Sequence, residues 1–144
     1  MPLSITEKLA ALCTEEGATF NSGVELLWGL VLQTYSRSRD VAFGKVVSGR
    51  DNTLTDVSRT VGLFINTVPL RLRTEEKTTA REALRGLQRQ AAESGAFDWC
   101  ALAEIMEAAG LENGLVRTVM AFENYSAPGR KTRWRPRCPW RLSA

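Results

Sequence analysis

The 144-residue chain contains no histidine. That absence removes the imidazole general base, the Ser-His and Cys-His nucleophile pairs and every His-containing metal site. Cysteine is scarce too. Cys13, Cys100 and Cys138 lie far apart and no CxxC pair occurs, so a zinc ribbon is not expected. Three scattered cysteines fit free thiols in a reducing compartment. The longest apolar block, Val24 to Leu32, is interrupted by Glu25, which leaves no candidate for a membrane span. The opening MPLSITEKLAAL lacks a basic region followed by an apolar one. No signal peptide is expected, and a cytoplasmic location follows as the default.

What is present fits a folded domain. The hydrophobic share is 44% and the charged share 24%, close to ordinary globular values. The formal charge of +3 hides an asymmetry. Residues 126–144 carry Arg130, Lys131, Arg133, Arg135, Arg137 and Arg141 with no acid, so the other thirteen bases face all sixteen acids in residues 1–125. The chain reads as a mildly acidic body with a basic tail. The tail also holds Pro128, Pro136, Pro139, Trp134 and Trp140. Proline and like charge both oppose packing. The expected organisation is a body of residues 1–125 and a tail of residues 126–144 without regular structure.

Along the body, Ser4 or Thr6 can cap a helix reaching Glu16, with Leu9 and Leu12 inward and Gly17 ending it. Thr19 caps a second helix to about Tyr35, whose apolar stripe is Val24, Leu27, Trp28, Val31, Leu32 and Tyr35. Val41, Phe43, Val46 and Val47 predict a buried strand. Asp51 to Thr60 reads as loop. Val68, Leu70 and Leu72 alternate with Pro69, Arg71 and Arg73, which predicts a strand with one wet face or at an edge. Thr78 or Thr79 caps a helix to about Ser94, with Ala83, Leu84 and Leu87 inward. A short helix covers 102–109 and ends at Gly110. The apolar run from Leu115 toward Tyr125 predicts a central strand. Strands alternating with helices give an α/β fold, a mixed sheet covered by helices.

Within VGLFINT, Asn66 is a polar side chain in an apolar run, so it should hydrogen-bond backbone groups of a neighbouring loop. Ser48 precedes Gly49 and reads as a turn residue, with no base to activate it except Lys45 or Arg50. Arg50 can pair with a carboxylate or cap loop carbonyls. Cys100 reads as a buried small hydrophobe and Trp28 as core. The lysines show no evident burial, and the carboxylates are spread over helix surfaces. No catalytic residue, metal ligand or directly bound cofactor is assigned.

Four ordered blocks carry a resemblance: GATFNSGVELLWGLVLQTYSRSRDVAFG, DVAFGKVVSGR, VGLFINTVPLRLR and, about fifty residues later, AFENY. Together they resemble the condensation domains of nonribosomal peptide synthetases over about residues 5–125. The resemblance implies a two-lobed fold similar to chloramphenicol acetyltransferase, of which this chain looks like one incomplete lobe, the C-terminal one. The HHxxxDG motif of such domains belongs to the N-terminal lobe, which accounts for the missing histidine. The implied parent reaction, in secondary metabolite biosynthesis, joins a donor thioester to an acceptor amine. Both are carried on phosphopantetheine arms of peptidyl or acyl carrier proteins that enter a tunnel between the lobes. Asn66, Thr67, Ser48 and Arg50 are then candidate tunnel residues, and the partners are carrier-protein domains and an N-terminal lobe.

Two departures stand out. The family's His-Gln-aromatic-x-Pro stretch is here Phe97, Asp98, Trp99, Cys100 and Ala101, and its Leu-Phe-Asp is Leu115, Val116 and Arg117. The stretch after FENY resembles nothing in that family. The chain alone is expected to be inactive and to self-associate. The alternatives are a non-catalytic module that docks on a carrier protein or a lobe, and a nucleic-acid binder acting non-specifically through the basic tail.

Binding of nucleic acid through the tail would be electrostatic and would weaken steeply with salt. Retention on DNA that is insensitive to salt, or that survives deletion of residues 126–144, would exclude the tail as the binding element.

Overall fold

The structure, a computed structural model, describes residues 3–49, 61–110 and 116–123. Helices α1 (Leu3–Glu15) and α2 (Phe20–Ser36) precede strands β1 (Asp40–Val47) and β2 (Asn66–Arg73). Helix α3 (Ala80–Ser94), a single 3-10 turn (Gly95–Phe97), α4 (Leu102–Ala108) and β3 (Val119–Met120) complete the order. Among the described residues the sheet order is β2-β1-β3, antiparallel between β1 and β2 and parallel between β1 and β3. The expected mixed sheet covered by helices is what forms.

Local chemistry sets most boundaries. The Thr19 hydroxyl accepts from the Ser22 amide at 3.1 Å and starts α2. Gln88 of α3 reinforces that cap, its Oε1 accepting from the Thr19 amide at 3.1 Å and the Ser22 hydroxyl at 2.9 Å. Thr79 starts α3 in a reciprocal capping box with Glu82, which satisfies two otherwise orphaned groups. Helix α1 departs from expectation. It begins at Leu3, so Ser4 and Thr6 lie inside its first turns rather than at its cap. Ser4 is exposed, where a hydroxyl inside a helix costs little.

The core joins Leu9 and Cys13 of α1, Leu26 of α2, Phe43 of β1, Leu70 and Leu72 of β2, and Ala83, Leu84 and Leu87 of α3. Helix α2 buries a different face from the one its apolar stripe predicts. Its buried residues are Ser22, Gly23, Glu25, Leu26 and Gly29, whereas Leu27, Val31 and Tyr35 are exposed. The reason is close approach. A Cβ on Gly29 would stand 2.5 Å from Leu72 Cδ2, so the helix sinks onto the sheet along small residues and turns bulky ones outward. Val24, Trp28 and Leu32 stay half-buried against the core.

The run from Leu115 toward Tyr125 also departs from expectation. Among the described residues it yields only the two-residue β3, and β1 is the central strand. Its apolar side chains are used for packing instead of a long ladder. Met120 packs on the core, and the Phe122 ring lies 6.0 Å from that of Phe20, tilted by 56°. Arg50 and the loop at 51–60 lie outside the described residues.

Charge ties helices across the surface. Arg81 reaches both Glu15 and Glu16, and Arg85 reaches Glu16. The hydrogen bond from Arg81, then those of Arg85, hold the Glu16 carboxyl below its usual range. Arg71 lowers Asp40, and the Thr79 amide lowers Glu82. Each carboxyl is more acidic folded than unfolded, so each contributes stability above the ordinary carboxylate range and loses it as pH falls through the folded value. Urea midpoints should therefore drop between pH 6 and pH 3, on either side of carboxylate values of about 4. The substitution Glu16→Gln should flatten part of that drop. A midpoint unchanged with acid would remove these pairs from the account.

Candidate functional site

Asn66 is the first residue of β2, paired in register with Val47, the last of β1. Its side chain is fully engaged. Nδ2 donates to the carbonyls of Asp98 at 2.8 Å and Cys100 at 2.6 Å, and Oδ1 accepts from the Thr67 amide at 2.8 Å. The expected bonding to loop backbone is what forms, across more than thirty residues of sequence. The loop it holds closes on itself, with the Cys100 amide donating to the Phe97 carbonyl at 2.9 Å and the Trp99 indole donating to the Ala96 carbonyl at 3.0 Å.

Ser48 and Gly49 follow β1 directly, so they share the sheet end at which Asn66 and Thr67 begin β2. Ser48 is exposed and Thr67 half-buried. Gly49 has φ of +61°, and a Cβ there would meet the Phe64 carbonyl oxygen at 2.0 Å. Only glycine meets both demands. Three of the four candidate residues, Ser48, Asn66 and Thr67, thus gather at one end of the sheet. The fourth, Arg50, lies outside the described residues.

Beside this end runs a cleft. One part, of about 470 Å³, is lined by Val68, Pro69, Phe97, Cys100, Ile105 and Ala108 among others. A second part, of about 510 Å³, shares Pro69, Ile105 and Ala109 and runs toward the opposite end of the sheet along Asp40, Ala42, Arg71 and Gln90. Cys100 is half-buried rather than buried outright, because it lines this open cleft. Cys13 and Cys100 are both free thiols, and burial pushes the Cys13 thiol up. Among the described residues no group of His, Cys, Asp or Glu could hold a metal ion, and no helix is long and apolar enough to cross a membrane.

Two charged residues were misjudged from the sequence. Glu25 is fully buried, and Lys45 is largely so, with Nζ 3.3 Å from Glu25 Oε1. The Asn21 amide also donates to Oε1, at 2.7 Å. The carboxylates are therefore not all on helix surfaces, nor are all the lysines exposed. The available signal was Glu25 interrupting the longest apolar block. The pair links α2 to β1 on the helix-covered face of the sheet. The candidate residues gather instead at the end of the sheet.

The Asn66 contacts generate a test. Asn66→Ala removes two donors and an acceptor and should cost about 1–3 kcal/mol, measured by urea denaturation. Asn66→Asp keeps the acceptor for Thr67 but sets a carboxylate against two carbonyl oxygens, and should cost at least as much. If the aspartate were neutral, the two amide donations would not be holding the loop.

The condensation-domain family model matches residues 2–133. The match extends past Tyr125, where composition and charge change. Bacitracin synthase 3 of Bacillus licheniformis is 38% identical over 122 residues, covering 85% of this chain and 2% of that protein. Tyrocidine synthase 3 of Brevibacillus parabrevis is 38% identical over 120 residues, 83% of this chain and again 2% of that protein. The chain is thus a small part of the length of these relatives. Among solved structures, the first condensation domain of the CDA synthetase superposes with a TM-score of 0.72 at 20% identity, covering 88% of this chain and 28% of that one. A four-domain nonribosomal peptide synthetase bound to AMP and glycine gives 0.76 at 20% identity, covering 86% and 10%. At such identities the superpositions speak to the fold, and the family match speaks to descent: this chain belongs to the condensation-domain family.

Proposed function

We propose that the chain is part of the C-terminal lobe of a condensation domain and supplies one wall of its substrate tunnel. The carrying observation is the Asn66 bridge, which ties VGLFINT to the Asp98–Cys100 loop, the second of which stands where the family has His-Gln-aromatic-x-Pro. The bridge uses main-chain carbonyls, so it does not depend on the side chains of Phe97 and Ala101, which stand where the resemblance expects histidine and proline.

In the parent reaction the acceptor amine attacks the donor thioester carbonyl, the C–N bond forms, the C–S bond breaks, and the amine proton leaves as the thiol departs. Substrates arrive on phosphopantetheine arms of carrier proteins. Asn66, Thr67, Ser48 and Arg50 serve as wall residues, and an N-terminal lobe supplies the motif histidine. Acid–base assistance of about a hundredfold to ten-thousandfold comes from such a group. A chain without histidine lacks it. Positioning, worth roughly 7–11 kcal/mol, needs both walls. We place the reaction in the cytoplasm, and the end of the folded body near Tyr125–Ser126.

A lobe-docking role draws support from a specific feature. Val61, Leu63 and Ile65 are 98%, 90% and 65% exposed at alternating positions immediately before Asn66. Such an apolar ribbon beside the candidate end suits burial against a partner surface.

The purified chain, mixed with loaded donor and acceptor carrier proteins, should form no amide above background. An N-terminal lobe added in trans should be required for any product. Product from the chain alone, abolished by Asn66→Ala or Ser48→Ala, would overturn the reading.

A further inference from the structure

The outer edge of β2 should be an open template, because a strand at a sheet edge presents unpaired amides and carbonyls. In an antiparallel pair the outward amides alternate. Gly44 pairs with Pro69, and the Gly44 amide donates away from β2, to the Thr118 carbonyl at 2.8 Å. The amide positions of residues 67, 69, 71 and 73 therefore face outward. The first three are each closed in a different way. The Thr67 amide donates to Asn66 Oδ1 at 2.8 Å. Pro69 has no amide hydrogen. The Arg71 amide donates to Gln90 Oε1 of α3 at 3.0 Å.

We propose that Asn66, Pro69 and Gln90 together seal the Thr67–Arg71 stretch of the β2 edge against strand addition, so that extension of this sheet is directed to its β3 side. The seal has something to prevent. The cleft of about 510 Å³ spreads over the sheet face at Asp40 and Ala42 of β1 and reaches this edge at Pro69, Arg71 and Gln90, which leaves open space next to the strand. A segment entering it finds outward carbonyls but no free donor from Thr67 to Arg71, and a ladder with one of its two bonding directions missing does not hold. The apolar ribbon of Val61, Leu63 and Ile65 on a second copy is the available intruder, being exposed at alternating positions. The seal leaves the cleft open to ligands that need no ladder.

The test uses the full chain with Pro69→Val and Gln90→Leu, singly and together, and Gln90→Glu as a control that keeps an acceptor. Amide exchange and sedimentation at several concentrations are read for each. Gln90→Leu should speed exchange at Arg71 by roughly fivefold to tenfold, the effect of one lost hydrogen bond. Gln90→Glu should leave it unchanged. The double variant should associate more strongly than the parent chain, with the amide at position 69 protected in the associated form. Unchanged Arg71 exchange in Gln90→Leu would overturn the proposal. So would association of the double variant equal to that of the parent, or greater association with the position 69 amide still exchanging freely.

Discussion

The eight-residue antiparallel register between β1 and β2 is the constraint on which the rest of the structure depends. It sets Phe43 opposite Leu70 and Val41 opposite Leu72 on the helix-covered face, and Gly44 opposite Pro69 on the other. Side chains alternate with a period of two, so a slip of one residue would bring Arg71 and Arg73 into the core and expel Leu70 and Leu72. The same register places Asn66 at the last rung, within reach of the loop after α3. It also turns the amide-free Pro69 outward. Core, loop anchor and edge all follow from one pairing.

Side-chain amides and the buried Glu25–Lys45 pair then seat the helices on that pairing. Gln33 of α2 donates to the carbonyls of Arg39 and Leu72 at 2.7 and 3.2 Å and accepts from Thr74 at 3.0 Å, closing the far end of the strands. Gln88 joins α3 to the start of α2, and Gln90 joins α3 to β2. Glu25 and Lys45 fix the depth at which α2 lies on β1. A buried pair of this kind adds little net stability, yet losing one partner leaves an uncompensated charge and is costly, of the order of 3–5 kcal/mol. Its effect here is to specify one seating of α2. The glycines allow α2 to approach the sheet closely, and the pair requires Glu25 to face Lys45 when it does.

This arrangement explains what could be read from the sequence and what could not. Strand β2 was legible because Pro69, Arg71 and Arg73 alternate with buried aliphatics, a direct record of one wet face. The caps Thr19 and Thr79 were legible because hydroxyl capping is local. The partner type for Asn66 was legible from burial alone, although the identity of Asp98 and Cys100 was not, since it depends on a contact distant in sequence. The buried face of α2 was misread because periodicity weighs side chains by hydrophobicity, whereas close packing selected Gly23 and Gly29. The segment around β3 was misread because a continuous apolar run does not distinguish a long ladder from packing beneath a neighbouring helix. Phe122 against Phe20 is the latter.

The candidate site is tolerant of sequence for a physical reason. Asn66 recognises two carbonyl oxygens, which every residue type supplies, so the loop stays attached while Phe97 and Ala101 stand where the resemblance expects histidine and proline. What such replacements alter is the wall and its chemistry. The cleft beside the loop is lined by the exposed ring of Phe97 and the half-buried Cys100. Scaffold and lining are therefore specified separately, the first by main-chain bonds to Asn66 and the second by side chains on the loop it holds. Substitutions on the loop can change the second while leaving the first, and Asn66 is the point at which the two meet.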